Sequence, residues 1–476
     1  MKKYLCGFCL IIAAILIGAC FSPWSSEEGN LSITWSNTGN SREALHQEDL
    51  EILDLFEVTL KGPGGTIKQE FTGVPGASFS VTAGTWSVTV KGKKNEPIGG
   101  ALGGGSDETV LNLKVMGIEQ IEVKAGKKTT ETINMYNADE VDNWEDLFLK
   151  IENDGDLYGY KCNEGHPYHK QIITLKPGSY IVVIGDYNTI EVTRPIILVA
   201  EEPVTITRGY SPGVFDEAFF KIIAEPSSSI TTSLTLGLPG MTGTITLDGY
   251  VGEDIFTNSI INVGDGGDSA FLIMNDGVTI KNNRCDEIGG GVNVAQNAVF
   301  AMKGGIINNN TAGWGGGVYI EGNGKFEMTG GEISGNTAYC GGGVYVDAEG
   351  IFEMNGGEIS DNKAETSIGD FPAMGGGIYV AGNFTMNGGT IIDNKAVHTN
   401  NRPGQGGGVY LDVIDSGSFT MNGGTISGNT ASGNPSEGGG VYISYNEGYD
   451  DNFKNNGGNI SGNTPAPDVF YAIPLR

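Results

Sequence analysis

A glycine-rich unit recurs through the C-terminal part of the chain, and it constrains the fold more than any other feature. The clearest copy spans residues 315–338 and reads GGGVYIEGNGKFEMTGGEISGNTA. Further copies occupy 289–312, 341–364, 375–396, 406–431 and, less regularly, 438–464. A short period of this kind is typical of repeat proteins, in which each unit buries its apolar face only against its neighbours.

Each unit contains three apolar runs that are too short for helices and are separated by glycines. In the clearest copy they are 318–320, 326–328 and 332–334, and two of them alternate apolar residues with others, as strands with one buried face do. Stacked units would place equivalent side chains in inward columns, which are Val318, Val344, Ile378, Val409 and Val441, then Phe300, Phe326, Phe352, Phe384 and Phe419, then Met302, Met328, Met354, Met386 and Met421. With neighbouring units about 4.8 Å apart, the pattern predicts a parallel β-helix.

Glycine and asparagine mark the corners of each unit. The Gly-Gly pair between the second and third runs never changes length, which is typical of a tight corner that needs positive φ. An asparagine closes the third run, and asparagine tolerates the left-handed conformation and can hydrogen-bond its amide along a stack. We interpret these residues as a structural ladder rather than as ligand contacts: Asn310, Asn336, Asn362, Asn394, Asn429 and Asn463.

The motifs GGG[VI]Y, F-x-M-x-GG and I-x-x-N over residues 289–464 resemble the glycine-rich repeats of bacterial surface proteins such as the chlamydial polymorphic membrane proteins. These belong to the pectin-lyase-like superfamily, so the resemblance implies a single-stranded, right-handed parallel β-helix. It weakens over 171–288, whose β-branched runs we interpret as irregular first coils of the same helix. The tail, 465–476, is expected to fold over the C-terminal end, with Pro465 and Pro467 stopping further strand pairing.

A separate small domain is predicted for 31–135, where strand-like runs and turns suit an antiparallel β-sandwich. Its stretch FTGVPGASFSVTAGTWSVTVKG resembles the prealbumin-like, carboxypeptidase-regulatory-like modules of secreted bacterial proteins. Residues 136–170 form a linker that contains a helix at 142–153, with an aspartate able to cap it. The apolar residues at helical spacing are Trp144, Leu147, Phe148 and Ile151.

We expect this helix to cap the N-terminal end of the β-helix, because the open end of a repeat array exposes apolar side chains and unpaired backbone groups. A docking motif for another protein is the alternative. The predicted fold class is therefore all-β, with an N-terminal antiparallel sandwich, a short capping helix and a right-handed parallel β-helix.

The first 19 residues have the features of an export signal, with two lysines, an apolar run and small residues before Cys20. Ile17-Gly18-Ala19-Cys20 resembles a bacterial lipobox, which implies cleavage before Cys20 and lipidation of its thiol, as with palmitate. An ordinary signal peptide with a chance cysteine is the alternative. The residue after the cysteine is Phe21 rather than an aspartate, which resembles lipoproteins of the outer-membrane sorting class. Residues 20–30 would form a polar tether. We expect a lipoprotein of the cell envelope, at the outer membrane or the cell surface.

The formal net charge of −29 argues against nucleic acid, anionic lipid and polyanionic substrates as partners. After Cys20 the chain has only Cys162, Cys285 and Cys340, an odd number that predicts free thiols. Cys162 with His166 and His169 lacks a fourth ligand and the usual zinc spacing. We therefore expect no metal, no cofactor and a monomer.

Two groups of residues are candidates for ligand binding. Insertions between repeats fall at the same phase, so they should crowd on one rim, where binding faces often lie. The residues with binding chemistry there are Phe371, His398, Arg402, Tyr445, Tyr449, Asp450 and Asp451. The second group is an outward row of rings, Tyr319, Tyr345, Tyr379, Tyr410 and Tyr442. For the rim, the alternative is that the loops vary in length and sequence without any binding role. For the row, the alternative is that the rings pack on one another or under a loop and stabilise the sheet.

The pectin-lyase-like superfamily includes polysaccharide lyases and glycoside hydrolases, so the resemblance raises catalysis as a possibility. No run after residue 289 presents several unlike polar groups from one face, as an active site would need. We therefore expect a non-catalytic, lipid-anchored surface protein that displays a β-helix for adhesion or for recognition of a glycan or of a host or envelope protein. The alternative is a carbohydrate-active enzyme with its site in 171–288, at Asp186, Glu191, Arg194, Glu201 and Arg208. A purely structural envelope protein is a third possibility.

Overall fold

The computed structural model describes residues 28–35, 53–72, 76–97, 109–133, 136–152, 171–182, 189–209, 218–224, 231–249, 258–267, 269–366, 371–400, 402–444 and 452–472. In these residues strands predominate, with one short helix, and the chain divides into two compact units, Met1–Asn137 and Ala138–Arg476. No helix in the described ranges is long and apolar enough to cross a membrane. Several predictions fall outside them: the signal peptide, Cys20, Phe21, Cys162, His166, His169, Asp186, Tyr445, Tyr449, Asp450 and Asp451.

The first unit is a β-sandwich, as predicted. Its strands are β1 (Glu28–Trp35), β2 (Leu55–Gly62), β3 (Gly65–Phe71), β4 (Gly76–Thr82), β5 (Gly84–Pro97), β6 (Thr109–Val123), β7 (Lys128–Ile133) and the start of β8 (Tyr136–Asn143). One sheet has the order β4-β1-β7, and β3-β2-β5-β6 forms the other. Leu31, Val58, Phe79 and Val88 from both sheets share one core. The pairing is antiparallel except between β1 and β7, which run parallel.

Helix α1 (Trp144–Glu152) opens the second unit and caps the β-helix, as predicted. The N-cap is Asn143 rather than the expected Asp142: its Oδ1 accepts the backbone N–H of Asp146 at 2.8 Å. The four apolar residues at helical spacing are buried in the β-helix core. The Trp144 ring meets the rings of Phe219 and Phe220 edge-on, at 6.2 and 5.7 Å between centroids.

The other end of α1 is tied to the first coil by polar contacts. Arg194 donates to the carbonyl oxygens of Ile151 and Lys150 at 2.8 and 3.0 Å, where a helix leaves backbone acceptors unpaired. Glu152 in turn accepts the backbone N–H of Glu191 at 2.9 Å. Burial raises the pKa of Glu152. The helix therefore covers both the apolar core and an edge strand of the first coil.

The β-helix consists of coils whose equivalent strands pair in parallel. Sheet 1 comprises Ile190–Val192, Phe220–Ile222, Ile261–Val263, Val292–Val294, Val318–Ile320, Val344–Val346, Ile378–Val380, Val409–Leu411, Val441–Ile443 and Val469–Tyr471. Sheet 2 comprises the first half of Gln171–Val182, then Ile196–Ala200, Thr232–Leu236, Ala270–Met274, Val299–Met302, Lys325–Met328, Ile351–Met354, Asn383–Met386, Ser418–Met421 and Phe453–Asn455.

Sheet 3 comprises the second half of Gln171–Val182, then Val204–Arg208, Ile245–Asp248, Val278–Lys281, Ile306–Asn308, Glu332–Ser334, Glu358–Ser360, Thr390–Ile392, Thr425–Ser427 and Asn459–Ser461. Sheet 4 comprises Thr337–Ala338, Lys363–Thr366, Lys395–His398 and Thr430–Ser432. Sheet 5 comprises Ala373–Met374, Gly404–Gln405 and Ser436–Glu437. The irregular runs of 171–288 thus belong to the same β-helix as the regular repeats.

The inward columns predicted from the repeats are confirmed. Phe326 pairs in register with Phe352, and Phe352 with Phe384. Their rings are stacked, with centroids 4.8 and 4.9 Å apart. The side chains of these columns are all but fully buried. Gly331 at the corner between sheets 2 and 3 has φ of 85°, and a Cβ there would lie 2.7 Å from the backbone oxygen of Gly305, so the corner requires glycine.

The C-terminal tail does not fold over the end of the β-helix. Instead, Val469–Tyr471 pairs in parallel with Val441–Ile443 as the last strand of sheet 1. Pro465 and Pro467 lie in the connection before this strand, where the sheet needs no N–H donor, so pairing resumes after them. The last coil therefore extends beyond residue 464.

The asparagines that close the third strand form a buried ladder. The backbone N–H and the Nδ2 of Asn336 both donate to Oδ1 of Asn362, at 3.0 and 2.9 Å. Nδ2 of Asn336 also donates to the carbonyl oxygen of Ile307, in the previous coil, at 2.9 Å. The same pattern runs from Asn310 to Asn429, all of them fully buried. Each side chain thus supplies partners for backbone groups that the corner would leave unpaired.

Charged side chains lie at both ends of this ladder. Each Asn oxygen accepts from the coil on its N-terminal side, and each amide NH₂ directs one N–H to the Asn oxygen of the coil on its C-terminal side. At the N-terminal end, Oδ1 of Asn283 accepts from the guanidinium of Arg208 at 3.4 Å. At the C-terminal end, the backbone N–H and Nδ2 of Asn463 donate to Oδ1 of Asp468 at 2.8 and 2.9 Å. The row of amide dipoles therefore meets a positive group at its oxygen end and a negative group at its NH₂ end.

Candidate functional site

Insertions after the third strand of successive coils lie side by side and build sheets 4 and 5 on one edge of the β-helix. We call this edge the ridge; its strands are Lys363–Thr366, Ala373–Met374, Lys395–His398, Gly404–Gln405, Thr430–Ser432 and Ser436–Glu437. Each insertion leaves along sheet 4 and returns along sheet 5. Small side chains fill the space inside, and they are Ala364, Ala373, Ala396 and Ala431. The variable loops thus become an ordered extension of the coil.

The predicted rim residues occupy different environments on the ridge. Phe371 is 73% exposed, and Arg402 is also exposed. His398 is only 3% exposed, because strand alternation points it inward on the same side as Ala396. Its Nδ1 accepts the backbone N–H of Asn400 at 3.2 Å, and its buried Nε2 has no hydrogen-bond partner among the described residues. His398 is therefore not part of the exposed surface.

Two exposed aromatic residues beside the ridge were not selected from the sequence. Trp314 and Tyr339 are each 44% exposed. They belong to the short connections, here called joins, that follow the third strand in the two coils before the first long insertion. Backbone bridges link Trp314 to Cys340 and Cys340 to Met374, so the three joins are adjacent. We call Trp314, Tyr339 and Phe371 the aromatic edge. The repeat pattern of the sequence does not indicate these residues, because each occupies a different position of its join.

The tyrosine row lies on the outer face of sheet 1, in register as predicted. Successive ring centroids from Tyr319 to Tyr442 are 5.0, 4.5, 5.1 and 5.0 Å apart, and Phe470 continues the stack 5.4 Å beyond. Tyr379, Tyr410 and Tyr442 are only 6–7% exposed and pack with Cys340. Their ring faces are therefore occupied by neighbouring rings, which leaves no face for a sugar to stack on.

Carboxylates after the strands of sheet 1 bind phenols of the preceding coil. Tyr319 donates to Oδ2 of Asp347 at 3.0 Å, and Tyr379 donates to Oδ2 of Asp412 at 2.5 Å. Asp412 also accepts from the Ile414 backbone N–H and the Ser444 hydroxyl, at 3.0 and 3.2 Å. Burial, followed by the nearby carboxylate, raises the pKa of both phenols well above the usual value. The phenols of Tyr319 and Tyr379 therefore stay protonated and each donates a hydrogen bond that links one coil to the next.

Alkaline pH should destabilise the β-helix through these buried groups. Burial raises the pKa of Tyr442 to about 12 and those of the Cys285 and Cys340 thiols to about 12. In the unfolded chain thiols ionise near pH 8.5 and phenols near pH 10, whereas the folded protein keeps them neutral. Between pH 7 and about pH 8 these groups should leave the free energy of unfolding level, and above that pH it should fall by up to about 1.4 kcal/mol per pH unit for each group that ionises only on unfolding.

Urea melts between pH 7 and 11.5 check this dependence, with absorbance at 295 nm following phenolate formation. Tyr379→Phe removes one such phenol and should make the decline above pH 10 shallower. A free energy of unfolding that rises above pH 10, or phenolate that forms fully near pH 10 before the chain unfolds, contradicts the burial of the row.

Residues considered for an enzyme site in the irregular coils have structural contacts. Arg194 binds the C-terminal end of α1 and also donates to Gln171 Oε1 at 2.8 Å. Arg208 is 2% exposed and donates to Oδ1 of Asn283. Its guanidinium carbon lies 5.1 Å from the centroid of the Phe219 ring. Glu201 is on the surface, and Glu191 contacts α1 through its backbone. Within the described ranges, no three His, Cys, Asp or Glu residues are grouped so that they could hold a metal ion.

No protein-family profile, curated protein or solved structure matches the chain significantly. Trp314, Tyr339 and Phe371 present exposed rings beside the ridge, whereas the rings of the tyrosine row pack against one another.

Proposed function

We propose that the protein is a lipid-anchored bacterial cell-surface protein that displays its β-helix for recognition of a glycan or protein ligand, without catalysis. The aromatic edge and the exposed Arg402 would form the recognition surface. The anchor would be a lipid on Cys20, as the resemblance of 17–20 to a lipobox implies. The sandwich would act as a spacer.

The observation that supports this proposal is the collection of exposed aromatic residues on one edge of an otherwise regular scaffold. Phe371 at 73%, with Trp314 and Tyr339 at 44%, are among the most exposed large apolar side chains of the described residues. Exposed apolar surface lowers the solubility of a protein unless a partner covers it. Tryptophan, tyrosine and arginine are also the residue types that contribute most binding energy at interfaces. Aromatic rings can equally stack on sugar rings, so both ligand classes fit this edge.

Binding of the full chain to arrays of glycans and matrix proteins tests the recognition surface. The combined substitution Trp314→Ala, Tyr339→Ala and Phe371→Ala should reduce binding to the recognised ligand at least tenfold. Ile414→Ala is the matched control, because Ile414 is also 61% exposed and apolar but lies in a loop after sheet 1. Equal losses in both variants, or none in the triple variant, would count against this surface. Release of reducing ends or unsaturated uronides from any polysaccharide would instead favour an enzyme.

Lipid attachment is tested separately by Cys20→Ser. Cells that produce the unaltered protein in the presence of labelled palmitate should label it, and the protein should sediment with membranes. The Cys20→Ser variant should take up no label, because the serine hydroxyl cannot form the thioether of the lipobox pathway. Cys162→Ser is the control for loss of a thiol. Membrane sedimentation and labelling that survive Cys20→Ser would show that the anchor is wrong.

A further inference from the structure

Two adjacent coils carry an outward surface that has no charge. In the first, Asn383, Thr385, Asn387 and Thr390 point outward between the buried residues of sheets 2 and 3, and in the next coil Ser418, Thr420, Asn422 and Thr425 do so. Pairing places Thr385 beside Thr420 and Thr390 beside Thr425. We call these eight residues the amide–hydroxyl face. It surrounds the Gly-Gly corner, at which no repeat carries an insertion.

Most of the same positions are charged in the two preceding coils; Thr329, Ile351 and Asn355 are the uncharged ones. The outward residues in register there include Lys325, Glu327, Glu332, Glu353 and Glu358. Lys325 pairs with Glu327 and Glu353 at 2.5 and 3.3 Å. The fold therefore accepts charge at these positions, and the chain has a net charge of −29. A surface of amides and hydroxyls in the middle of such a scaffold is a local departure from its own pattern.

A hydrogen-bonded row of amides runs through this face. Asn387 donates to Asn355 Oδ1, Asn422 to Asn387 Oδ1 and Asn456 to Asn422 Oδ1, each at 2.8 Å. All four residues are exposed. A primary amide has two N–H donors and two lone pairs, and the row uses one of each at an internal position. Asn387 and Asn422 therefore each keep one donor and one acceptor for a ligand.

The hydroxyls beside the row add to this capacity. Thr385, Thr420 and Thr425 are partly exposed, whereas the hydroxyls of Thr390 and Ser418 already donate to Glu358 and Asn383, at 3.4 and 2.7 Å. Threonine is stiff at χ1, and the row fixes the planes of the amides, so little side-chain freedom is lost when a ligand binds. The groups repeat along the face at the coil spacing of about 4.8 Å. The face therefore offers a rigid, repeating set of neutral donors and acceptors.

We propose that the amide–hydroxyl face binds a neutral polysaccharide through hydrogen bonds to its hydroxyl groups. Sugar hydroxyls both donate and accept, which matches groups that keep one donor and one acceptor each. Each net hydrogen bond contributes only about 0.5–1.5 kcal/mol, so a polymer that engages several repeats gains most from this surface.

Other ligand classes fit the face less well. A polyanion would need cations, but the residues paired with the face in the neighbouring coils include Glu353 and Glu358 as well as Lys454, and the chain is strongly acidic. A protein partner would need apolar or aromatic anchors at the centre, and the eight residues of the face include none. Ile392, which also points outward from sheet 3, lies at the edge of the face. This second surface is independent of the aromatic edge and would stand if that edge bound nothing.

Co-sedimentation of the full chain, in mild detergent, with insoluble cellulose, chitin and mannan tests the proposal, with gelled polygalacturonate as the anionic comparison. The key variant is Thr385→Glu with Thr420→Glu, which continues the column that Glu327 and Glu353 occupy in the preceding coils. Because the fold already accepts glutamate at this register, circular dichroism should be unchanged. Glu327→Thr with Glu353→Thr is the matched control, with the same residue types exchanged in the opposite direction.

The unaltered protein should sediment with at least one neutral glycan, the double-glutamate variant should lose at least tenfold in apparent affinity, and the control should bind as well or better. Substitution of the aromatic edge should leave this binding unchanged. The proposal is overturned if no neutral glycan retains the protein, if only polygalacturonate does, or if the double-glutamate variant binds normally. Loss of binding in the aromatic-edge variant alone would assign the glycan to that edge instead.

Discussion

Asn362→Ala should lower the free energy of unfolding of the β-helix by about 3–6 kcal/mol. The substitution removes the acceptor of the Asn336 backbone N–H and of one Asn336 amide hydrogen, and the donor to the carbonyl oxygen of Ile333. These groups are fully buried or lie at the inner corner, and a buried polar group left without a partner costs about 1–3 kcal/mol. The backbone N–H of Asn362 keeps its bond to Asn394.

Asn387→Ala is the matched control, since this asparagine belongs to a hydrogen-bonded row of the same spacing but on the exposed surface. Solvent can replace its contacts, so the change should be within about 0.5 kcal/mol. Urea denaturation followed by circular dichroism compares the two variants. Similar free energies of unfolding for both would mean that water satisfies the inner corner and that the buried ladder contributes little.

Phe352→Ala should have an effect of similar size, about 3–5 kcal/mol, for a different reason. The ring is fully buried and stacked on both faces, so its removal leaves a cavity between Phe326 and Phe384. The column cannot close this cavity easily, because the neighbouring rings are fixed by strands paired in register on either side.

Phe371→Ala provides the control for Phe352→Ala, because its ring is 73% exposed and its loss should change stability by less than about 0.5 kcal/mol. Repeat arrays can open locally rather than in one step, so hydrogen exchange should accompany the melts. Faster exchange should concentrate in the coils that contain residues 326, 352 and 384. Uniform acceleration over all coils, or no loss of stability, would contradict a column of mutually supporting rings.

The parts of the fold that repeat could be predicted from the sequence. Phe326, Phe352 and Phe384 occur at one position of each unit, and stacking units in parallel puts such positions in register. The capping helix was predictable because Trp144, Leu147 and Phe148 fall on one helical face. Periodicity reports which residues share a column and which face is buried, and these two facts define a β-helix.

Features that depend on unique residues could not be predicted in this way. Arg208 and Asp468 end the asparagine ladder, but neither is an asparagine nor occupies the repeated position. The hydroxyl of Tyr379 donates to Asp412, which belongs to a loop whose length differs between coils. The C-terminal strand departs from the expectation that Pro465 and Pro467 stop pairing, because both prolines lie in the connection before it.

The termini of the asparagine ladder bear on how such a chain can evolve in size. Every internal step of the ladder has the same donors and acceptors, while the two charged terminators, Arg208 and Asp468, lie outside the regular units. Duplication or loss of one whole unit, such as 315–340, would leave both terminators in place and every new junction identical to an old one. Gene copies with more or fewer units could therefore fold without compensating substitutions, which would let a lineage change the length of the β-helix.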